Sequence, residues 1–147
     1  DNSDGQIVLS GKTKDLQILS EFLKDKKIKN IKLPVSAPFH CNLMSKATEV
    51  MTKELLKINF KQSNNTLISN VTANEIYDIE DLKGLLIKQI EKRVRWRETI
   101  IYMINKGVNQ FIEIGPGKVL SGLVKRINKD VKISSINSQS DIESLNI

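Results

Sequence analysis

The spacing of apolar and polar positions divides the chain into short amphipathic pieces. Gln6-Ile7-Val8-Leu9-Ser10, set between Gly5 and Gly11, reads as a strand. After a cap at Thr13, Leu16, Leu19, Phe22 and Leu23 recur at helical spacing, and Ile31-Lys32-Leu33 reads as a second strand ended by Pro34. This opening third is predicted as a β-α-β piece with lysines on its outer positions. From Pro34 to Cys41 no regular helix can form, because Pro34 and Pro38 fix φ and push their preceding residues toward extended backbone. A helix follows with Leu43, Ala47, Val50, Met51, Leu55 and Ile58 on one face, then a short strand from Thr66 to Val71. The pattern predicts a helix from about Asp81 to Ile90. It predicts another from about Arg95 to Lys106, burying Trp96, Ile100, Met103 and Ile104 and ending at Gly107.

The last third reads as strand Gln110–Ile114, turn Gly115-Pro116-Gly117, a helix carrying Val119, Leu120, Leu123 and Ile127, and strand Val131–Ile136. That order is the signature of a right-handed parallel crossover, and the fold class is α/β. The segment after Ser138 is polar and is expected to be a flexible tail. The opening piece has only two strands and one helix, a marginal sheet by itself. The expectation is therefore that an N-terminal portion precedes this chain.

Composition narrows the classes. Apolar residues make up 39% and charged residues 27% of 147, ordinary values for one folded domain. The longest apolar run is Ile100 to Ile104, whereas a membrane span needs about 20 residues. A single cysteine excludes an internal disulfide and any zinc site built on several cysteines. A soluble, reducing, cytoplasmic setting is expected, without a membrane partner. The net charge of +6 raises nucleic-acid binding. However, the cations are 19 lysines and 4 arginines beside 20 isoleucines and 13 asparagines, a mixture that follows AT-rich codons. Arginine, the residue suited to bidentate base and phosphate contacts, is scarce. No nucleic-acid partner is expected, although acidic partners remain compatible with the charge.

The only histidine, His40, is the most informative position. It follows a Pro-bounded irregular segment and stands just ahead of a helix start, where the dipole favours the neutral ring that a base requires. The plainer alternative is a histidine that caps or packs at the helix start. Cys41 beside it raises a Cys-His pair, but adjacent side chains rarely face each other, and a small buried apolar residue is the favoured reading. Gly115-Pro116-Gly117-Lys118 looks like a phosphate-cradling loop, yet it lacks the spacing of either glycine-rich fingerprint, and Pro116 removes an N–H donor. A tight structural turn is favoured. Lys88, Lys92, Arg93, Arg95 and Arg97 could receive an acidic partner or form a solvated face. No G-x-S-x-G nucleophile elbow and no metal-ligand cluster is present in the sequence. The residues alone support an α/β domain with one candidate base.

Five stretches in register resemble the C-terminal half of the malonyl-CoA:acyl carrier protein transacylase family. They are Gly5 to Gly11, Leu33-Pro34-Val35-Ser36-Ala37-Pro38-Phe39-His40-Cys41, Ser69-Asn70-Val71, Val94-Arg95-Trp96, and Glu113 to Leu120 followed by Lys125-Arg126. The resemblance runs from residue 1 to about 136. It implies that residues 1–33 are the second half of a ferredoxin-like small subdomain. Residues 34–138 would be the C-terminal part of an α/β-hydrolase-like large subdomain, with 139–147 the flexible tail. It implies a ping-pong transfer in which a serine takes malonyl from coenzyme A and passes it to the phosphopantetheine thiol of acyl carrier protein. No cofactor is implied, the coenzyme A thioester being a substrate.

By the same resemblance His40 is the catalytic base, oriented by a backbone carbonyl that counting through the motif to Trp96 places on Gln89. Asn2 and Gln6 match residues lining the coenzyme A side of the cleft. Phe39 occupies a position where related polyketide acyltransferases that take malonyl carry phenylalanine, its bulk filling the α-substituent space. Malonyl-specific members of the present family also carry serine there. The serine elbow, the arginine for the malonyl carboxylate and the N-terminal oxyanion loop are implied to lie in the missing N-terminal half, so this chain alone is expected to be inactive. The competing reading is a decayed or inactive fragment acting at most as a partner-binding module.

Overall fold

Two five-residue strands rich in β-branched residues organise the last third of the chain. The computed structural model describes residues 1–145. In it β3 (Gln110–Ile114) and β4 (Lys132–Ile136) pair in parallel, with Gln110 opposite Lys132 and Ile114 opposite Ile136. The connection is α5 (Val119–Ile127), which packs on both strands and on α4 (Trp96–Asn105). Leu123 and Val124 of α5 are buried, and Ile100 of α4 is wholly so at 0% exposure. Gly107, at φ 93°, terminates α4: its N–H donates to Ile104 and that of Val108 to Met103. A residue with a Cβ would be strained in this left-handed conformation. These elements, with residues 1–8 and 72–74, form one of two compact units.

The second unit comprises Leu9–Val71 and Glu75–Val94. It contains α1 (Thr13–Asp25), a 3-10 turn at Asn42–Met44 leading into α2 (Ser45–Lys57), the antiparallel pair β1 (Leu67–Ile68) and β2 (Glu75–Ile76), and α3 (Ile79–Lys88). The start of α3 is set locally, since the Asp78 carboxylate accepts the Asp81 N–H at 2.7 Å. α2 packs against α3.

Helices and strands are mixed, so the α/β class holds, and the crossover from Gln110 to Ile136 is parallel. Several expected elements differ. Gln6–Ser10 forms no strand; Gln6 makes only an isolated bridge to Ser3. Ile31–Leu33 forms none either, with Ile31 74% exposed. A strand exists only when its N–H and C=O groups meet a neighbouring strand along its length, and among the described residues neither segment pairs with one. The opening β-α-β is thus reduced to α1, whose Phe22, expected inside, is 55% exposed. Thr13 is the first helical residue rather than a cap, and no side chain caps that end. On α2 the expected apolar face is only partly covered, with Val50 and Met51 exposed.

Within the segment expected as a flexible tail, the chain makes a short helix, α6 (Gln139–Glu143). Ser138 accepts the Asp141 N–H while the Asp141 carboxylate accepts those of Asn137 and Ser138, a reciprocal capping box. Those bonds, the one from Asn137 foremost, hold the Asp141 carboxyl below its ordinary range. The tail expectation for residues 146 and 147 lies outside the described residues. Truncating Ile100 to Ala removes the most deeply buried apolar side chain, and denaturant unfolding should report a loss of about 2–5 kcal/mol.

Candidate active site

His40 stands in a turn whose geometry is dictated on both sides. Pro38 restricts the chain before it, and the extended Cys41 leads into the 3-10 turn after it. The His40 backbone adopts φ 61°, in the left-handed region. Histidine enters that region more readily than most residues, but holding it there still costs of the order of 1–3 kcal/mol. The conformation is retained because α3 grips the residue twice. The His40 N–H donates to the Ile90 carbonyl at 3.2 Å, and ring Nδ1 lies 2.8 Å from the Gln89 carbonyl oxygen.

Both acceptors lie just past α3, Gln89 as its C-cap and Ile90 one residue on, where carbonyls have no partner further along the helix. Gln89 is the C-cap residue, and its N–H still bonds back to Leu85. A carbonyl oxygen can only accept, so this bond requires the proton on Nδ1 and leaves Nε2 with a free lone pair. The imidazole is exposed, as is the adjacent Phe39 at 47%. The arrangement fixes the ring tautomer and leaves the outer nitrogen reachable from solvent.

The structure therefore brings His40, Phe39 and Gln89 together in one unit, while Asn2 and Gln6 belong to the other. There Asn2 and Gln6 bracket a tight turn at Gly5, the Asn2 N–H bonding the Gln6 carbonyl at 3.0 Å. The Gln6 side-chain oxygen accepts from Arg126 Nη1 at 2.6 Å, which leaves its NH₂ group to donate. Cys41 is turned to a local task, its thiol donating to the Pro38 carbonyl at 3.1 Å. Of the basic cluster, Arg95 donates to the Thr72 carbonyl and pairs with Glu98, and Arg97 pairs with Asp4 at 2.5 Å. These two cations serve internal contacts.

The Gly115–Lys118 loop is a structural turn. Gly115 and Gly117 take φ 135° and 95°, and the Gly117 N–H is bonded to Asn137 Oδ1 at 2.6 Å. The free N–H groups at the start of α5 are already satisfied by an internal anion: Glu113 of β3 accepts from Leu120 at 3.0 Å and from Ser121 at 2.7 Å. A phosphate would meet that carboxylate instead of open donors. Sequence reading left Glu113 without a role, although a helix start preceded by Lys118, with no local cap, is the signal that a cap arrives from elsewhere. Asn70, marked in the sequence only as part of the Ser69-Asn70-Val71 stretch, donates to the Gln89 side chain at 3.3 Å.

Among the described residues no group of three or more His, Cys, Asp or Glu could hold a metal ion, and no helix is long and apolar enough to cross a membrane.

An exposed imidazole with its outer nitrogen free, on this α/β frame, fits enzymes that transfer acyl groups through an activated hydroxyl. Solved structures with this fold bear that chemistry in their names. The chain superposes on an acyl-carrier-protein S-malonyltransferase from Bartonella henselae with a TM-score of 0.85 and 42% identity, covering 91% of this chain and 43% of that one. It also superposes on a malonyl-transacylase solved in complex with its type II polyketide synthase acyl carrier protein, with a TM-score of 0.85 and 30% identity over 91% and 44% of the two chains. No family model matches the chain. Among curated proteins it is 43% identical over 143 residues to the malonyl CoA-acyl carrier protein transacylase of Bacillus subtilis, 97% of this chain and 45% of the relative. The chain is thus a homologue of malonyl-CoA:acyl carrier protein transacylases along nearly its whole length, and it spans about half the length of the curated relatives it matches.

The Ser121 hydroxyl, followed by the Ser121 N–H, holds the Glu113 carboxyl below its ordinary value of 4.5. A carboxylate with a depressed folded-state pKa stabilises above its unfolded pKa, and that stabilisation fades as pH falls through the folded value. Glu113→Gln should therefore lower the melting temperature by a few degrees at neutral pH. The difference from the parent chain should shrink as pH drops below about 4.5, followed by circular dichroism melts.

Proposed function

We propose that the chain is the histidine-bearing C-terminal half of a malonyl-CoA:acyl carrier protein transacylase. The observation that carries this reading is the 2.8 Å contact between His40 Nδ1 and the Gln89 carbonyl, which leaves Nε2 free at an exposed turn. The nucleophilic serine belongs to the portion of the relatives' length that this chain does not span. His40 Nε2 takes the serine Oγ proton as the oxygen bonds to the malonyl thioester carbon. When the tetrahedral intermediate collapses, the carbon–sulfur bond breaks and coenzyme A leaves as a thiolate that recovers the proton from Nε2. The second half runs in reverse: the phosphopantetheine thiol gives its proton to Nε2, its sulfur forms the new thioester, and the serine oxygen departs with the proton.

A neutral carbonyl is a sufficient orienter for this cycle. It fixes the tautomer and accepts the same Nδ1–H whether Nε2 is bare or protonated, so the ring need not turn between steps. Phe39, beside the base, limits space next to the acyl carbon and favours malonyl over bulkier units. Asn2 and Gln6 hold the polar arm of coenzyme A through amide donors, with Arg126 against Gln6. The positive net charge suits an acidic carrier protein, and a homologous transacylase is described in complex with one. No cofactor is required, and the expected setting is cytoplasmic.

Alone, the purified chain should transfer no malonyl to acyl carrier protein, measured by mass spectrometry of the carrier. Mixed with the N-terminal half of a homologous transacylase it should do so, and His40→Ala should lower that rate about 10²–10⁴-fold. Full activity in the His40→Ala mixture would overturn the assignment. Association of the mixture with acyl carrier protein should slow as ionic strength rises, read by stopped-flow fluorescence.

A further inference from the structure

The Gln89 carbonyl can orient the imidazole only if the residue that bears it stays put at a helix end, where the backbone is prone to fray. Its side chain supplies the missing restraint. Gln89 Oε1 accepts a hydrogen bond from Asn70 Nδ2 at 3.3 Å, across nineteen positions of sequence. Asn70 is itself held in the loop that follows β1. Its neighbour Ser69 is 4% exposed, and the Ser69 hydroxyl accepts the Val71 N–H at 3.1 Å, which brackets Asn70 between a buried residue and a closed turn. Farther along the same loop, Asn74 Nδ2 donates to the Thr72 carbonyl at 3.2 Å.

We infer that Asn70 is a positioning residue for the acyl-transfer base: by anchoring the Gln89 side chain it holds the Gln89 carbonyl in line with His40 Nδ1 and so fixes the ring tautomer. The inference rests on the acyltransferase reading above for its catalytic consequence, but its structural content is independent of it. A glutamine side chain reaching sideways from the C-cap and a helix carbonyl reaching the ring belong to one residue. Restraining the first limits rotation of the second.

The test measures the ring directly. Nitrogen-15 spectra of His40 in the full chain, completed by the N-terminal half of a homologous transacylase, should show protonation almost wholly on Nδ1. Asn70→Ala should increase the Nε2–H tautomer several-fold and lower kcat about three- to tenfold with little change in KM, the range expected for one hydrogen bond. Gln89→Ala should act in the same direction, and the double substitution should be no worse than either single one. Asn74→Ala loosens the same loop and should leave the tautomer ratio unchanged. Unaltered tautomer populations in both Asn70→Ala and Gln89→Ala would overturn the inference, as would additive effects in the double variant. It would equally fall if Asn74→Ala shifted the ring as far as Asn70→Ala. Should Asn70→Ala fail to fold, Gln89→Ala alone decides by the same ring spectrum. Failure of the acyltransferase reading would show separately, as full activity of His40→Ala.

Discussion

A helix cannot satisfy its own last carbonyls, and the candidate site is built on that deficit. Gln89 and Ile90, at the end of α3, present oxygens with no helical donor, and His40 supplies both missing donors, one from its backbone and one from its ring. The same two bonds keep His40 in a left-handed conformation that a free chain would leave. Satisfying backbone polarity and fixing the tautomer of the ring are thus a single event. Disturbing one would disturb the other.

A second helix end follows the opposite logic. The N-terminus of α5 lies after a glycine-rich turn, the setting in which many proteins bind phosphate, yet β3 delivers the Glu113 carboxylate to it. The internal anion satisfies the donors, ties α5 to the parallel strand pair, and removes the site from ligand binding. Strand and helix are joined there by charge as well as by the apolar contacts of Leu123 and Val124.

The strongly periodic segments were legible from the chain alone. Gln110–Ile114 and the helix ending at Gly107 lie where their patterns put them, because alternation and a glycine stop are local properties. The extended stretches at Ile7 and Ile31 were not, since a run of β-branched residues records a capacity for pairing and not the presence of a partner. The polar segment after Ser138 misled in the other direction: its Ser and Asp are three apart, the spacing of a capping box. At the site, the lone histidine after two prolines drew attention by itself, whereas Asn70 and Glu113 did not. Each acts on a residue distant in sequence or on a helix whose lack of a local cap is visible only as an absence.

What the sequence determined by itself was the set of chemical possibilities: one imidazole, one thiol, an α/β pattern, and kinship with malonyl transacylases carried by five stretches in register. Those follow from residue identity and short-range periodicity, which need no partner. Only the tertiary structure decided which nitrogen of His40 bears its proton, that Cys41 faces its own turn, and that the glycine loop is closed to anions. The first and the last of those outcomes depend on a hydrogen-bond acceptor brought from another part of the chain. Directional bonds of about 3 Å are set by where folded elements meet, which no linear pattern specifies.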